Sequence, residues 1–153
     1  MYFWKIKLLK EDIRNNLLTP KDNFLYFVSY TVLYSIFLMV AVVQLYETLG
    51  ILMAIIQILL FIGGTYYAYY SNGAAKGKDF AKRFFSVGWV FLLRATFFMG
   101  LGMLNLYVMT HIFGMEKLFT VSNSAIIGLV FEILFYWRIG KHIADIRLSE
   151  LNV

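Results

Sequence analysis

The sequence has no cysteine. That excludes a disulfide framework, a thiolate metal site and a cysteine nucleophile, and leaves the redox compartment undecided. A single proline in 153 residues leaves little to interrupt long helices. Charge is also scarce: 15% of residues are Asp, Glu, Lys or Arg, against roughly 25% in an ordinary soluble domain. With two histidines and no cysteine, no zinc motif can be assembled, and no Ser–His–Asp set or paired-carboxylate site is present. No catalytic residue, metal or cofactor is expected.

What the chain has in excess is apolar surface. Hydrophobic residues make up 61% and aromatic residues 19%, and mean hydropathy is +0.71. A soluble domain of this size could not hide that much apolar area from water. The composition argues against a soluble enzyme, a disordered chain and a nucleic-acid module, and points to lipid as the main solvent.

Four stretches are long enough to cross a bilayer core of about 30 Å at about 1.5 Å per residue. They run over about 24–46, 49–70, 84–109 and 119–137. None alternates with the period of two that a barrel strand needs, so the expected fold is all-α, a four-span integral membrane helix bundle over 24–138. Residues 1–19 form an amphipathic interfacial segment, and 139–153 a helical cytoplasmic tail. In the first segment Tyr2, Ile6, Leu9, Ile13 and Leu17 recur at steps of three and four, drawing one apolar helical face. It has no clean apolar core or small-residue cleavage site, and so does not read as a signal peptide.

Charge placement sets the expected orientation. Lys5, Lys7, Lys10, Arg14 and Lys21 precede the first stretch, and Lys76, Lys78, Lys82 and Arg83 lie between the second and third. Arg138, Lys141 and Arg147 follow the fourth, whereas Lys117 stands alone in the opposite loops. The positive-inside rule then places both termini in the cytoplasm of a multi-pass inner-membrane protein. His111 and His142 fall on opposite sides and cannot share a metal.

Two intramembrane charges stand out. Arg94 lies about 15 Å inside the third stretch and Glu132 about 9 Å inside the fourth. An isolated arginine at such depth costs at least about 2.5–3.5 kcal/mol, so an Arg94–Glu132 pair is expected, either fixing helix register or serving a pathway. Gln57 and Asn105 could extend it into a polar path. Gln44, Glu47, Asn105 and Asn123 could line an outer vestibule, although polar residues are common at membrane boundaries. Small residues are expected at helix contacts: Ser124 and Gly128 share a stripe with Glu132, and Gly102 shares one with Arg94. On the first stretch Thr31, Ser35 and Leu38 offer the inward face. The connection Ser71–Asp79 invites a phosphate-loop reading, but only three residues separate Gly73 from Gly77 and Asp79 follows Lys78, so the motif fails. A tight turn is expected, with Lys76, Lys78, Lys82 and Arg83 contacting lipid headgroups or a partner.

The segment from Ser71 to Arg94, SNGAAKGKDFAKRFFSVGWVFLLR, resembles a pattern of uncharacterised small four-span bacterial inner-membrane proteins. Its Asn-Gly turn, Gly-x-Asp-Phe step, basic pair and intramembrane arginine follow in the same order. The resemblance implies a bacterial source and carries no activity. The expected function is a non-enzymatic membrane component that assembles with itself or with a protein partner through its basic cytoplasmic face. The alternative is a small channel or transporter subunit using the polar path. The bilayer and a second copy or protein are the expected partners, with no nucleic acid.

Overall fold

The computed structural model describes residues 1–46, 50–113 and 121–151. Among them the protein is all-helical: α1 (Ile6–Arg14), α2 (Pro20–Tyr46), a 3-10 turn (Ala74–Lys76) after α3 (Gly50–Ser71), α4 (Phe80–Phe113) and α5 (Val121–Leu151). α2 packs mainly on α4 and α3 mainly on α5, with α4 and α5 in contact and α1 lying across both.

Local chemistry explains where the elements begin and stop. Asn16, at φ +52°, tolerates the left-handed region that ends α1. Thr19 then caps α2. Its Oγ1 accepts the Asp22 backbone N–H at 3.2 Å, and its own N–H donates to Asp22 Oδ2 at 3.1 Å. Pro20 occupies the first helical position, where its missing N–H costs nothing. The Thr19 hydroxyl, which donates to Asp22 Oδ2 at 2.6 Å, and then the Thr19 backbone N–H hold the Asp22 carboxyl below the ordinary carboxylate range. The turn after α3 requires Gly73 at φ +98°, where a Cβ would also meet Arg147 Nε at 2.7 Å.

The buried core sits at one end. Leu9 and Ile13 of α1, Tyr26 and Tyr30 of α2, Val87 and Val90 of α4, and Ile139, Ile143 and Ile146 of α5 are all at most 3% exposed. Met1, the turn at 71–79 and the last turns of α5 gather at this charged end. α5 runs unbroken through the stretch that the sequence set apart as a tail, because its three isoleucines pack under α1 and α4.

Toward the far end the packing opens. On α4 every residue from Phe97 to Gly102 is exposed, and six consecutive positions cover more than one turn of 3.6, so all faces of the helix are bare. Among the described residues one segment, Phe80–Gly102, is long and apolar enough to cross a membrane, and 39% of its most apolar window is buried within the protein.

Candidate functional site

The densest polar arrangement within the apolar part of the protein centres on Glu132. Its residue surface is 7% exposed. Gln57 Nε2 of α3 donates to Oε2 at 2.5 Å, and the Tyr34 hydroxyl of α2 donates to Oε1 at 3.4 Å. Tyr34 Oη also lies 3.4 Å from Tyr136 Oη, one turn along α5 from Glu132. Tyr30 stacks on Tyr34 with ring centroids 5.7 Å apart and planes 7° from parallel. Phe61 stands 5.8 Å from Tyr34 and 6.5 Å from Tyr136 by ring centroid. Three helices thus converge on one carboxyl group. Among the described residues no cation lies within ion-pair distance of it.

Close approach makes this convergence possible. A Cβ on Gly64 would lie 2.2 Å from the Tyr136 ring, and one on Gly140 2.3 Å from the Tyr67 ring. Small residues therefore do bring helices together, but at Gly64, Gly88 and Gly140. A Cβ at Gly102 or Gly128 would meet nothing within 4 Å, which corrects the expectation that these two mediate packing. Both glycines are exposed. The side chain of Ser124 lies outside the described residues.

Arg94 does not pair with Glu132. Its guanidinium donates to the Trp4 carbonyl oxygen and lies 5.8 Å from the Trp4 ring centroid and 5.9 Å from that of Phe91. Helical side chains lean toward the N-terminus of their helix, which here is the charged end, where the amphipathic segment passes. Rise per residue gave the axial position of Arg94 correctly enough to suggest a partner on α5, but the side chain points around the helix toward Trp4. Trp4 meets Phe97 edge-on at 5.5 Å, and Phe3 meets Trp89 at 6.2 Å, so the N-terminal strap is fastened along α4 at several points.

The expected polar path divides in the same way. Gln57 joins Glu132, whereas Asn105 is exposed and donates to its own helix at Leu101 O, 2.9 Å away. On α2 the face that meets the other helices carries Tyr26, Tyr30 and Tyr34, while Thr31 and Ser35 are exposed. This corrects the assignment of Thr31 and Ser35 to the inward face. The recurrence of tyrosine every four residues was the sequence signal for the tyrosine face. Glu47 and Lys117, and the side chains of Leu38, Gln44, His111 and Asn123, lie outside the described residues.

The basic cluster also separates. Lys76 and Lys78 are exposed. Lys82 Nζ donates to Asn16 Oδ1 at 3.1 Å and lies 3.8 Å from Asp79. Arg83 is 3% exposed: it donates to Asn72 Oδ1 at 3.1 Å and to Glu150 Oε1 at 2.5 Å. Asn72, fully buried, also donates to the Lys78 carbonyl at 3.1 Å. Arg83 therefore ties the turn to the end of α5 and offers no charge to a headgroup.

His142, on the charged-end part of α5, is the one perturbed histidine on the described side chains. Burial, and then the positive charge of Lys10, push its pKa down to about 4. Asp145 lies 3.8 Å from Nδ1 and opposes the shift, but Asp145 also pairs with Lys10 at 3.3 Å. The Phe91 ring, 5.0 Å away by centroid, covers the imidazole. No cluster of three or more His, Asp or Glu side chains that could hold a metal occurs among the described residues.

Compared with known proteins, the chain matches no family, no curated protein and no solved structure.

Proposed function

We propose that this chain is a non-enzymatic, four-span protein of a bacterial inner membrane, with both termini in the cytoplasm, that assembles with further copies of itself. The observation that carries the membrane reading is the exposed apolar girdle. Val32, Ile36, Leu52, Ile58, Leu59, Phe98, Leu104, Ile112 and Ile133 are each more than half exposed. A soluble monomer rarely shows a contiguous apolar patch above a few hundred Å². By length alone α3, with 22 uncharged residues, rises about 33 Å, against a hydrocarbon core of about 30 Å. Exposed Phe3, Trp4, Tyr66, Tyr70 and Trp137 suit a headgroup belt. The inner-membrane assignment also draws on the resemblance of residues 71–94.

Assembly is supported by α4 from Phe97 to Gly102, where every residue is exposed, and by exposed Leu104 and Asn105 just beyond it. An amide both donates and accepts, so Asn105 on two copies can pair across a lipid-facing contact. Lys76 and Lys78 remain available to anionic headgroups.

Single cysteines test the orientation, since none is native. Lys76→Cys should react with a membrane-impermeant reagent only after the inner membrane is opened, and Lys117→Cys in intact cells. Reversed labelling would sink the topology. Leu104→Cys should crosslink between copies in native membranes, and Asn105→Leu should weaken that crosslink. A second reading, a small transporter subunit, is favoured by one observation: the Glu132 carboxyl, bonded by Gln57 and Tyr34, has no cation partner among the described residues. Flux in liposomes that is lost in Glu132→Gln would move it to first place.

A further inference from the structure

We propose that Arg94 and Arg138, brought to one level across the α4–α5 seam, bind the phosphate of one anionic phospholipid. The proposal rests on the membrane reading, and its test separates the two.

Two contacts fix the register of α4 against α5. Arg83 meets Glu150, and eight residues further along α4 the Phe91 ring meets His142, eight residues back along α5. The helices are therefore antiparallel and in step. Three more residues along α4 and four more back along α5 bring Arg94 and Arg138 to one level, within about 1.5 Å of rise. Residues three and four apart share a helix face, so both cations stand one turn above the Phe91–His142 pair. Arg94 lies 5.9 Å from the Phe91 ring centroid. Arg138, which is exposed, lies 5.8 Å from that of Trp137.

Neither guanidinium has an anion. Among the described residues the one hydrogen bond of Arg94 goes to a neutral acceptor, the Trp4 carbonyl, and its Nε is buried without a partner. Arg138 makes no ion pair and no hydrogen bond among them. Asp145, the carboxylate beside His142, is taken by Lys10 at 3.3 Å. The field of the pair is felt at His142: burial and then Lys10 lower its pKa most, and Arg138 and Arg94 push it the same way. Two uncompensated cations at one level repel, and an anion held between them turns that repulsion into attraction. Guanidinium forks match phosphate oxygens two at a time.

The surface around the arginines selects a lipid over a free phosphate. Trp4 and Trp137, both exposed, flank them and suit the depth of headgroups. One turn further toward the far end, Phe97 of α4 and Leu134 of α5 are exposed and apolar. A free anion would use the cations and leave that surface bare. A phospholipid uses both, with its phosphate on the arginines and its acyl chains along Phe97 and Leu134.

Native mass spectrometry of the full chain, released from detergent micelles holding equal amounts of phosphatidylglycerol and phosphatidylcholine, counts the lipids that stay bound. Each chain should retain one phosphatidylglycerol, preferred over phosphatidylcholine by about tenfold or more. Arg138→Gln alters an exposed side chain that bonds no other group, so folding should be unchanged and the preference should fall about fivefold. Arg94→Gln should lower it similarly, and Lys76→Gln should leave it unaltered. Equal retention of the two lipids, or the wild-type preference in both arginine variants, would overturn the site. Displacement of the lipid by millimolar inorganic phosphate would make a free anion the occupant and overturn the lipid. Flotation with vesicles of phosphatidylcholine alone reads membrane insertion separately. A chain that stays out of those vesicles overturns the membrane reading and the site together, whereas one that enters them and shows no lipid preference overturns the site alone.

Discussion

The Arg83 guanidinium lies 2.5 Å from the Glu150 carboxylate, joining the start of α4 to the end of α5 across the turn that follows α3. The arginine is 3% exposed and the glutamate side chain 31%, so the two partners are not equivalent. Loss of the carboxylate leaves a buried cation held by Asn72 alone, whereas loss of the arginine leaves an anion that water can reach. Glu150→Leu should therefore cost about 3 kcal/mol, and combining it with Arg83→Met should recover part of that loss. Reversible unfolding in mild detergent, arranged as a double-mutant cycle, checks this, and purely additive losses would show that the pair is idle.

Arg94 and Glu132 should behave independently. Each has its own partners, so the cost of Arg94→Ala combined with Glu132→Gln should equal the sum of the single changes to within about 0.5 kcal/mol. Arg94→Ala alone should loosen the N-terminal strap, costing about 1–2 kcal/mol through the lost carbonyl bond and ring contacts. Trp4 fluorescence should then become more accessible to an aqueous quencher. A non-additive cycle would restore the ion pair suggested by their spacing along the helices.

The glycines divide into two classes with opposite expected responses. Gly64→Ala and Gly140→Ala drive a methyl into the Tyr136 and Tyr67 rings and should each cost about 2–3 kcal/mol. Gly102→Ala and Gly128→Ala meet open space and should be neutral or stabilise the monomer by up to about 1 kcal/mol through helix propensity. Melting temperatures of the four variants would separate the classes, and an equal loss at Gly102 would mean that the far end is packed after all.

Stability should decline as pH falls below neutrality because of His142. Its pKa in the folded protein is about 4 against an ordinary 6.5. Above 6.5 the imidazole is neutral in both folded and unfolded chains. Below it the unfolded chain gains a proton that the folded protein refuses until about pH 4, so unfolding is favoured across that window, by up to about 3 kcal/mol. His142→Gln should flatten this part of the profile, and an unchanged slope would assign the acid sensitivity to other groups.

The amphipathic face of α1 was legible in part: of its stripe, Leu9 and Ile13 are at most 2% exposed, whereas Leu17, beyond the end of the helix, is 62% exposed. The helical character of the long apolar runs was equally legible, as was the tight turn between Ser71 and Asp79. So was the position of each residue along its helix, since rise per residue is constant. What remained hidden was rotation about the helix axis. In α2 to α5 the covered and uncovered faces are both apolar, so composition gives no contrast between them. Only the packed structure decided that Arg94 turns to Trp4, that Glu132 turns to Gln57 and Tyr34, that Arg83 is buried against Glu150, and that Gly64 rather than Gly102 receives a neighbour's ring. Those choices depend on which side chains interlock between helices far apart in sequence, a property of pairs of surfaces that no single stretch of chain contains.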